Sequence, residues 1–246
     1  MQAAPPSELS AVILAAGRGA RLGAVTAHAP KTLLRVGPAP LIERQVRLLE
    51  AFQIGCIYVV VGFGGDQVRH ILGDRVVYVD NPHWAFTNNL YSLYLCRQHM
   101  QGPFVLINGD DLFHPDVLAR LLQTPWHDAL CIDRARQPAA EAMKATIVNG
   151  RVRALSKQMP EAKTDGEYIG MLRLGAHGAA RLDAVLERFV TEGRLDTWYE
   201  AGLQELGSQH PLHVVDVTEL PWIEIDTPAD LEQARNDIWP RICPAP

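Results

Sequence analysis

Apolar positions along the chain fall into two alternating rhythms. Short, nearly continuous apolar runs at 11–16, 56–61, 76–80, 104–108 and 129–133 read as strands. Between them, 41–52, 66–72, 88–99 and 115–122 carry apolar residues three or four positions apart, the helical period; Leu41, Ile42, Val46, Leu48 and Leu49 set it in the first. This β–α alternation predicts an α/β fold with a mostly parallel, Rossmann-like sheet flanked by helices. The rhythm then changes. Runs at 144–148 and 152–156 flank Asn149-Gly150, a pair suited to a tight primed turn, so a β-hairpin is expected in the second half. A strand at 168–174, helices at 175–190 and 198–206, and strands at 212–217 and 222–226 follow. Thr227-Pro228 offers an N-cap and a first-turn proline for a closing helix to residue 238.

Composition excludes several classes. With 246 residues, 48% of them hydrophobic and a formal net charge of −5, the chain reads as an ordinary globular protein. It lacks the basic surplus of a protein that grips nucleic acid broadly. No apolar run approaches the ~20 residues that span a bilayer, so neither a nucleic acid nor a membrane is an expected partner. Cys56, Cys96, Cys131 and Cys243 show no metal-ligand spacing, which fits a reducing, cytoplasmic setting. The oligomeric state is left open, a homo-oligomer included.

The candidate chemistry gathers where a parallel sheet binds ligands, beyond the carboxyl ends of its strands. Ile13-Leu14-Ala15-Ala16-Gly17-Arg18-Gly19-Ala20-Arg21-Leu22-Gly23 leaves a buried strand and becomes small, flexible and cationic, as a loop lying against phosphates must. It is neither a GxGxxG nor a Walker loop. Lys31 follows on a segment stiffened by Pro30. Asp110-Asp111 ends one strand and Asp226 another, and two such acids could hold one Mg²⁺ together with phosphate oxygens. Each feature alone has a plainer reading: a tight turn, a helix cap, a solvated lysine. Their joint placement at strand ends points to metal-assisted attack on a nucleoside triphosphate.

LAAGRGARLG followed by PKTLL resembles the signature of the sugar-phosphate nucleotidyltransferase superfamily. Asn88-Asn89-Leu90-Tyr91-Ser92-Leu93, Glu141-Ala142-Met143-Lys144 and Trp222-Ile223-Glu224-Ile225-Asp226 are similar to its phosphocholine and aminoalkylphosphonate cytidylyltransferase branch. The resemblance covers roughly residues 10–237. Ala20 departs from it, standing where many relatives carry Ser or Thr. The resemblance implies a single nucleotidyltransferase domain over 1–246, with a flexible lead-in at 1–9. Within it come a nucleotide-binding half at roughly 10–135 and an acceptor-binding half at roughly 136–240. It implies that Leu14, Ala15, Ala16, Gly17, Gly19, Arg21, Asn88, Asn89 and Asp110 meet the nucleotide. Arg21 and Lys31 would act in catalysis, and Asp110 and Asp226 would hold Mg²⁺.

The expected substrates are CTP and a small phosphorylated alcohol or phosphonate bearing an amine: phosphocholine, phosphoethanolamine or 2-aminoethylphosphonate. A uridylyltransferase acting on a sugar 1-phosphate is the alternative. For the acceptor, Trp198 and Glu200 could hold an amine through cation–π and charge attraction, although Trp198 and Tyr199 at a helix start could simply pack. Lys144 and Glu167 are further acceptor candidates.

Overall fold

The computed structural model describes residues 9–135 and 138–243. The expected lead-in lies, except for Leu9, outside the described residues. Strand β1 (Ser10–Ala15) is central in the sheet, with β2 (Cys56–Val61) and β4 (Phe104–Asn108) paired in parallel on either side, and helices cover both its faces. Beyond β2 lies β3 (Val77–Asp80), also parallel.

The strict alternation along β1 feeds two cores. Ala11, Ile13 and Ala15 pack on one face with α1 (Leu41–Ala51), α2 (Gly65–Leu72) and α4 (Pro115–Gln123). Val12 and Ala16 pack on the other with α3 (Asn89–Leu95), α5 (Ala176–Thr191) and α6 (Tyr199–Gln209). The helix expected over 88–99 ends as an α-helix at Leu95 and continues only as a short 3₁₀ turn, Arg97–His99.

The second half turns the sheet antiparallel. The nine-stranded order is β3, β2, β1, β4, β9 (Gly166–Leu174), β6 (Ala129–Asp133), β10 (His213–Asp216), β8 (Arg151–Ser156) and β7 (Lys144–Val148). Strand β9 lies antiparallel between β4 and β6. Strand β10 rejoins β6 in parallel. The expected hairpin is present as β7 and β8. Its turn residues Asn149 and Gly150 have φ of 52° and 71°, the positive values a primed turn needs.

One element is absent from the expectations. Asp111–Phe113 is a short strand, β5, paired antiparallel with β11 (Trp222–Glu224) in a two-stranded ribbon off the main sheet. The expected strand over 222–226 stops at Glu224. Thr227 caps α7 (Pro228–Gln233) in a reciprocal box with Asp230. A π-helical turn, Ala234–Ile238, and α8 (Trp239–Ile242) follow. Leu22, Leu34, Leu112, Ile223, Ile225, Leu231 and Ile238 form a third apolar cluster. It fastens the opening loop, the ribbon and the closing helices together.

Candidate active site

Gly109 brings the two strand ends into register. Its N–H donates to the Leu14 carbonyl at 3.0 Å, and a Cβ there would fall 2.7 Å from that oxygen. The chain can therefore cross directly over the end of β1 and present Asp110 there. Gln45, fully buried on α1, braces this crossing by donating to the carbonyls of Asn108 and Asp111, each at 2.9 Å. The ribbon then delivers its acids: Glu224 pairs with Asp111, and the Ile225 N–H donates to the Asp110 carbonyl at 3.1 Å. Carboxylate oxygens of Asp110, Glu224 and Asp226 lie within 4.8 Å of one another.

Two cations face these acids. The Lys31 ammonium pairs with Asp110 and donates to Asp226 Oδ1 at 2.8 Å. Arg21 donates to Asp226 Oδ2 at 2.5 Å. Gly19 makes room for Lys31: it sits at φ 76°, and a Cβ there would come within 2.8 Å of the Lys31 Cβ. Burial pulls the Lys31 amine down, but Asp110, Asp226 and Glu224 outweigh it and the amine is raised above its ordinary value. Burial likewise opposes ionisation of Asp226, yet Lys31 and Arg21 hold its carboxyl below the usual range. Glu224 opens to solvent, but the protein packed about it and the charges of Asp110 and Asp226 push its carboxyl up to about 8.

Three converging oxygen ligands suit a hard divalent cation such as Mg²⁺. Burial is the larger cause of the upward push on Glu224, and the neighbouring carboxylates of Asp110 and Asp226 add to it. The donor set fits the ion. Glu224 was not among the expected ligands. Its signal is the spacing Glu224-Ile225-Asp226, since alternate residues of an extended chain share a face.

A cleft of about 250 Å³ runs from these charges across the sheet. Leu14, Ala16, Gly17, Arg21, Lys31, Asn88, Asn89, Asp110, Trp198 and Glu200 all line it. Ala15 and Gly19 do not line it. Asn88 and Asn89 line it while performing a structural task. Asn88 caps α3 by accepting from the Asn89 N–H, and Asn89 Oδ1 accepts from the Tyr199 N–H at 2.8 Å. They lock the starts of α3 and α6 together.

Tyr199 is packed away, completely buried, with its hydroxyl in a chain from Tyr168 to Asn108. Trp198, one residue earlier, is 45% exposed and opens to the cleft. Glu200 is 7% exposed, and its Oε2 is buried with no hydrogen-bond partner. Burial, reinforced by Asp110, raises its carboxyl to about 7, against the pull of Lys157 and Asn89.

Lys144 is not brought to the cleft. The residue is 2% exposed, and its ammonium turns inward to donate to the carbonyls of Ala140 and Lys157 at 2.7 and 2.8 Å. Glu167 also stays off the cleft wall, on β9 opposite Asp133 and Lys144. The cation that does reach the cleft on this side is Lys157, which follows β8 and sets its ammonium 4.5 Å from the centre of the Trp198 ring. Sequence reading passed over it, because a lone lysine after a strand has no distinguishing pattern.

The family described as the MobA-like NTP transferase domain matches residues 11–212, and the chain belongs to it. The chain is 32% identical over 241 residues to the CMP-5'-(3-aminopropyl)phosphonate synthase of Streptomyces rubellomurinus, covering 91% of this chain and 38% of that protein. It is 37% identical over 108 residues to the choline-phosphate cytidylyltransferase of Streptococcus pneumoniae, covering 43% of this chain and 46% of that protein. The matched region thus spans less than half the length of these two relatives. The solved CTP:phosphocholine cytidylyltransferase of Streptococcus pneumoniae shares the fold, with a TM-score of 0.76 over 92% of this chain and 97% of that one at 22% identity. Among the described residues, no helix is long and apolar enough to cross a membrane.

Proposed function

We propose that this chain is a metal-dependent cytidylyltransferase. It transfers CMP from CTP to a small phosphorylated alcohol or phosphonate bearing an amine, and releases pyrophosphate. The observation that carries this reading is the meeting of Lys31 and Arg21 with Asp110, Glu224 and Asp226 at one end of a cleft whose wall also holds Trp198 and Glu200. The names of the relatives, which act on an aminopropylphosphonate and a choline phosphate, support the donor and the acceptor class.

In the reaction, an anionic oxygen of the acceptor attacks the α-phosphorus of CTP. A new P–O bond forms, the bond to the β-phosphate oxygen breaks, and that oxygen leaves with the pyrophosphate. The acceptor brings its own nucleophile, so the chain needs no activated serine or cysteine. Its task is to hold two polyanions together and offset the charge that grows in flight. Arg21 and Lys31 supply fixed positive charge at that point. Asp110, Glu224 and Asp226 would hold Mg²⁺, which supplies further charge neutralisation on the triphosphate. The exposed backbone of Gly17 and its neighbours lies where phosphates or base would rest. A cytoplasmic setting accords with cysteines 56, 96, 131 and 243 all being free.

The test is pyrophosphate release with Mg²⁺, each of the four nucleoside triphosphates, and a panel of phosphocholine, phosphoethanolamine, 2-aminoethylphosphonate, glycerol phosphate and sugar 1-phosphates. CTP with an amine-bearing acceptor is the expected pair. UTP with a sugar 1-phosphate would transfer the assignment to the uridylyltransferase alternative. Release from no pair would refute the transferase reading.

A further inference from the structure

Two features of the acceptor wall, taken together, discriminate among amines. The first is the Glu200 carboxylate. It is 93% shielded from solvent, it lines the cleft, and its Oε2 is buried with no hydrogen-bond partner. A buried acceptor atom without a donor is costly to the free protein, and a ligand N–H removes that cost. The second is Trp198. Its ring is the aromatic surface a quaternary ammonium would seek, but the Lys157 ammonium already lies over it at 4.5 Å.

Lys157 is held there from below. Its carbonyl accepts from the buried Lys144 ammonium at 2.8 Å, and the same ammonium donates to the Ala140 carbonyl. The base of the Lys157 loop is thereby pinned beside the cleft. The chain's own cation occupies the aromatic face. What remains for a ligand cation is an anionic oxygen that lacks a hydrogen.

We infer that the acceptor carries a primary alkylammonium group, whose N–H donates to Glu200 Oε2, and that the site discriminates against a quaternary trimethylammonium. This rests on the cytidylyltransferase reading for the identity of the acceptor's other end, a phosphate or phosphonate. A trimethylammonium has no N–H to give, so it would leave Oε2 unpaired and bring three methyl groups against it. It would also have to expel Lys157 to gain an aromatic contact. Lys157 and Glu200 thus act as specificity-determining residues.

Phosphoethanolamine and phosphocholine differ only by three N-methyl groups, so they form the decisive pair. Calorimetric titration of each into the full chain with Mg²⁺ reads binding whether or not turnover occurs. The expected result is at least about tenfold tighter binding of phosphoethanolamine, in keeping with what a site loses when a built hydrogen bond goes unmade. Glu200→Gln should shrink that preference by about tenfold. Lys157→Met should shift it toward phosphocholine by freeing the Trp198 face.

Equal or tighter binding of phosphocholine by the unaltered protein would overturn the inference, as would failure of phosphoethanolamine to bind. The unaltered protein decides the question even where a variant does not fold. Pyrophosphate release from the same mixtures once CTP is added tests the transferase reading separately. Selective binding without release would refute that reading and leave the amine selectivity standing, and release with phosphocholine preferred would do the reverse.

Discussion

Asp226 accepts from Lys31 at 2.8 Å across 195 residues of chain, while its second oxygen takes Arg21 at 2.5 Å. One carboxylate thus ties the opening loop to the ribbon before the closing helices. In the proposed reaction the two cations would face the triphosphate and the carboxylate would help to hold its metal ion. The pairing also means that each group is held in place before any ligand arrives, which is the condition for electrostatic catalysis.

Replacing Lys31 should separate these two roles. Lys31→Ala is expected to cut turnover by about 100-fold or more, the scale of losing one preorganised charge donor. The same change leaves Asp110, Glu224 and Asp226 facing one another without their central counter-charge. Mg²⁺ alone should then raise the melting temperature of the variant by more than it raises that of the unaltered chain, because an ion that binds only the folded state stabilises it. Pyrophosphate release and thermal melts with and without Mg²⁺ check both halves. Turnover near normal in a folded variant would remove Lys31 from the catalytic role.

Gly19 makes a sharper geometric test. Its φ of 76° costs a residue with a Cβ about 1–2 kcal/mol. An added Cβ would also meet the Lys31 Cβ at 2.8 Å. Gly19→Ala is therefore expected to lower turnover at least about tenfold, because misplaced charge is the more damaging consequence. Gly23→Ala is the control. Its φ is also positive, at 59°, but no atom lies within 4 Å of the added Cβ, so it should cost stability with much less effect on turnover. Urea melts paired with pyrophosphate release separate strain from displacement.

The half of the fold nearest the amino end was legible because β1, β2 and β4 are apolar and largely buried while its helices bury one face, which writes two different periods into the sequence. Asn149-Gly150 and Thr227-Pro228 were legible because turn and cap geometries admit few residues. The ribbon of β5 and β11 was not. Asp111-Leu112-Phe113 is too short to show a period, and its partner lies over a hundred residues away. Missing that pairing hid Glu224, although its alternation with Asp226 was in plain view. Lys144 and Lys157 show the same limit. Which lysine turns inward to carbonyls and which reaches the cleft depends on how the 157–165 loop returns to β9, and that is a tertiary property with no local sign.

Lys144 should matter through that loop. Its ammonium satisfies two carbonyls in a buried setting. Lys144→Met keeps much of the volume but leaves both carbonyls without their donor. The expected loss is about 2 kcal/mol, the usual range for hydrogen bonds to a charged group, read from the urea midpoint at constant slope. Freed at its base, the loop should also hold Lys157 less firmly over Trp198. The Michaelis constant for the acceptor should therefore rise more than that for CTP. An equal rise in both would make Lys144 a general stabiliser with no special tie to the acceptor wall.

Glu200 gives the site a pH dependence whose sign can be worked out. Burial, with Asp110 adding to it, raises the carboxyl from its ordinary value of 4.5 to about 7. Between those values the unfolded chain carries the charge and the folded one carries the proton. The folded state therefore loses stability from this group as pH rises from about 4.5 to 7, with no further loss above. Glu200→Gln removes the titration, so the melting temperature of the variant should gain on that of the unaltered protein across this window and then hold level. Binding runs the other way. The ionised carboxylate attracts an ammonium, so the Michaelis constant for phosphoethanolamine should fall as pH rises through 7. Glycerol phosphate shares the titrating phosphate but has no ammonium, and the ratio of the two constants isolates Glu200. A ratio that stays flat from pH 6 to 8 in the unaltered protein would remove Glu200 from contact with the acceptor's cation.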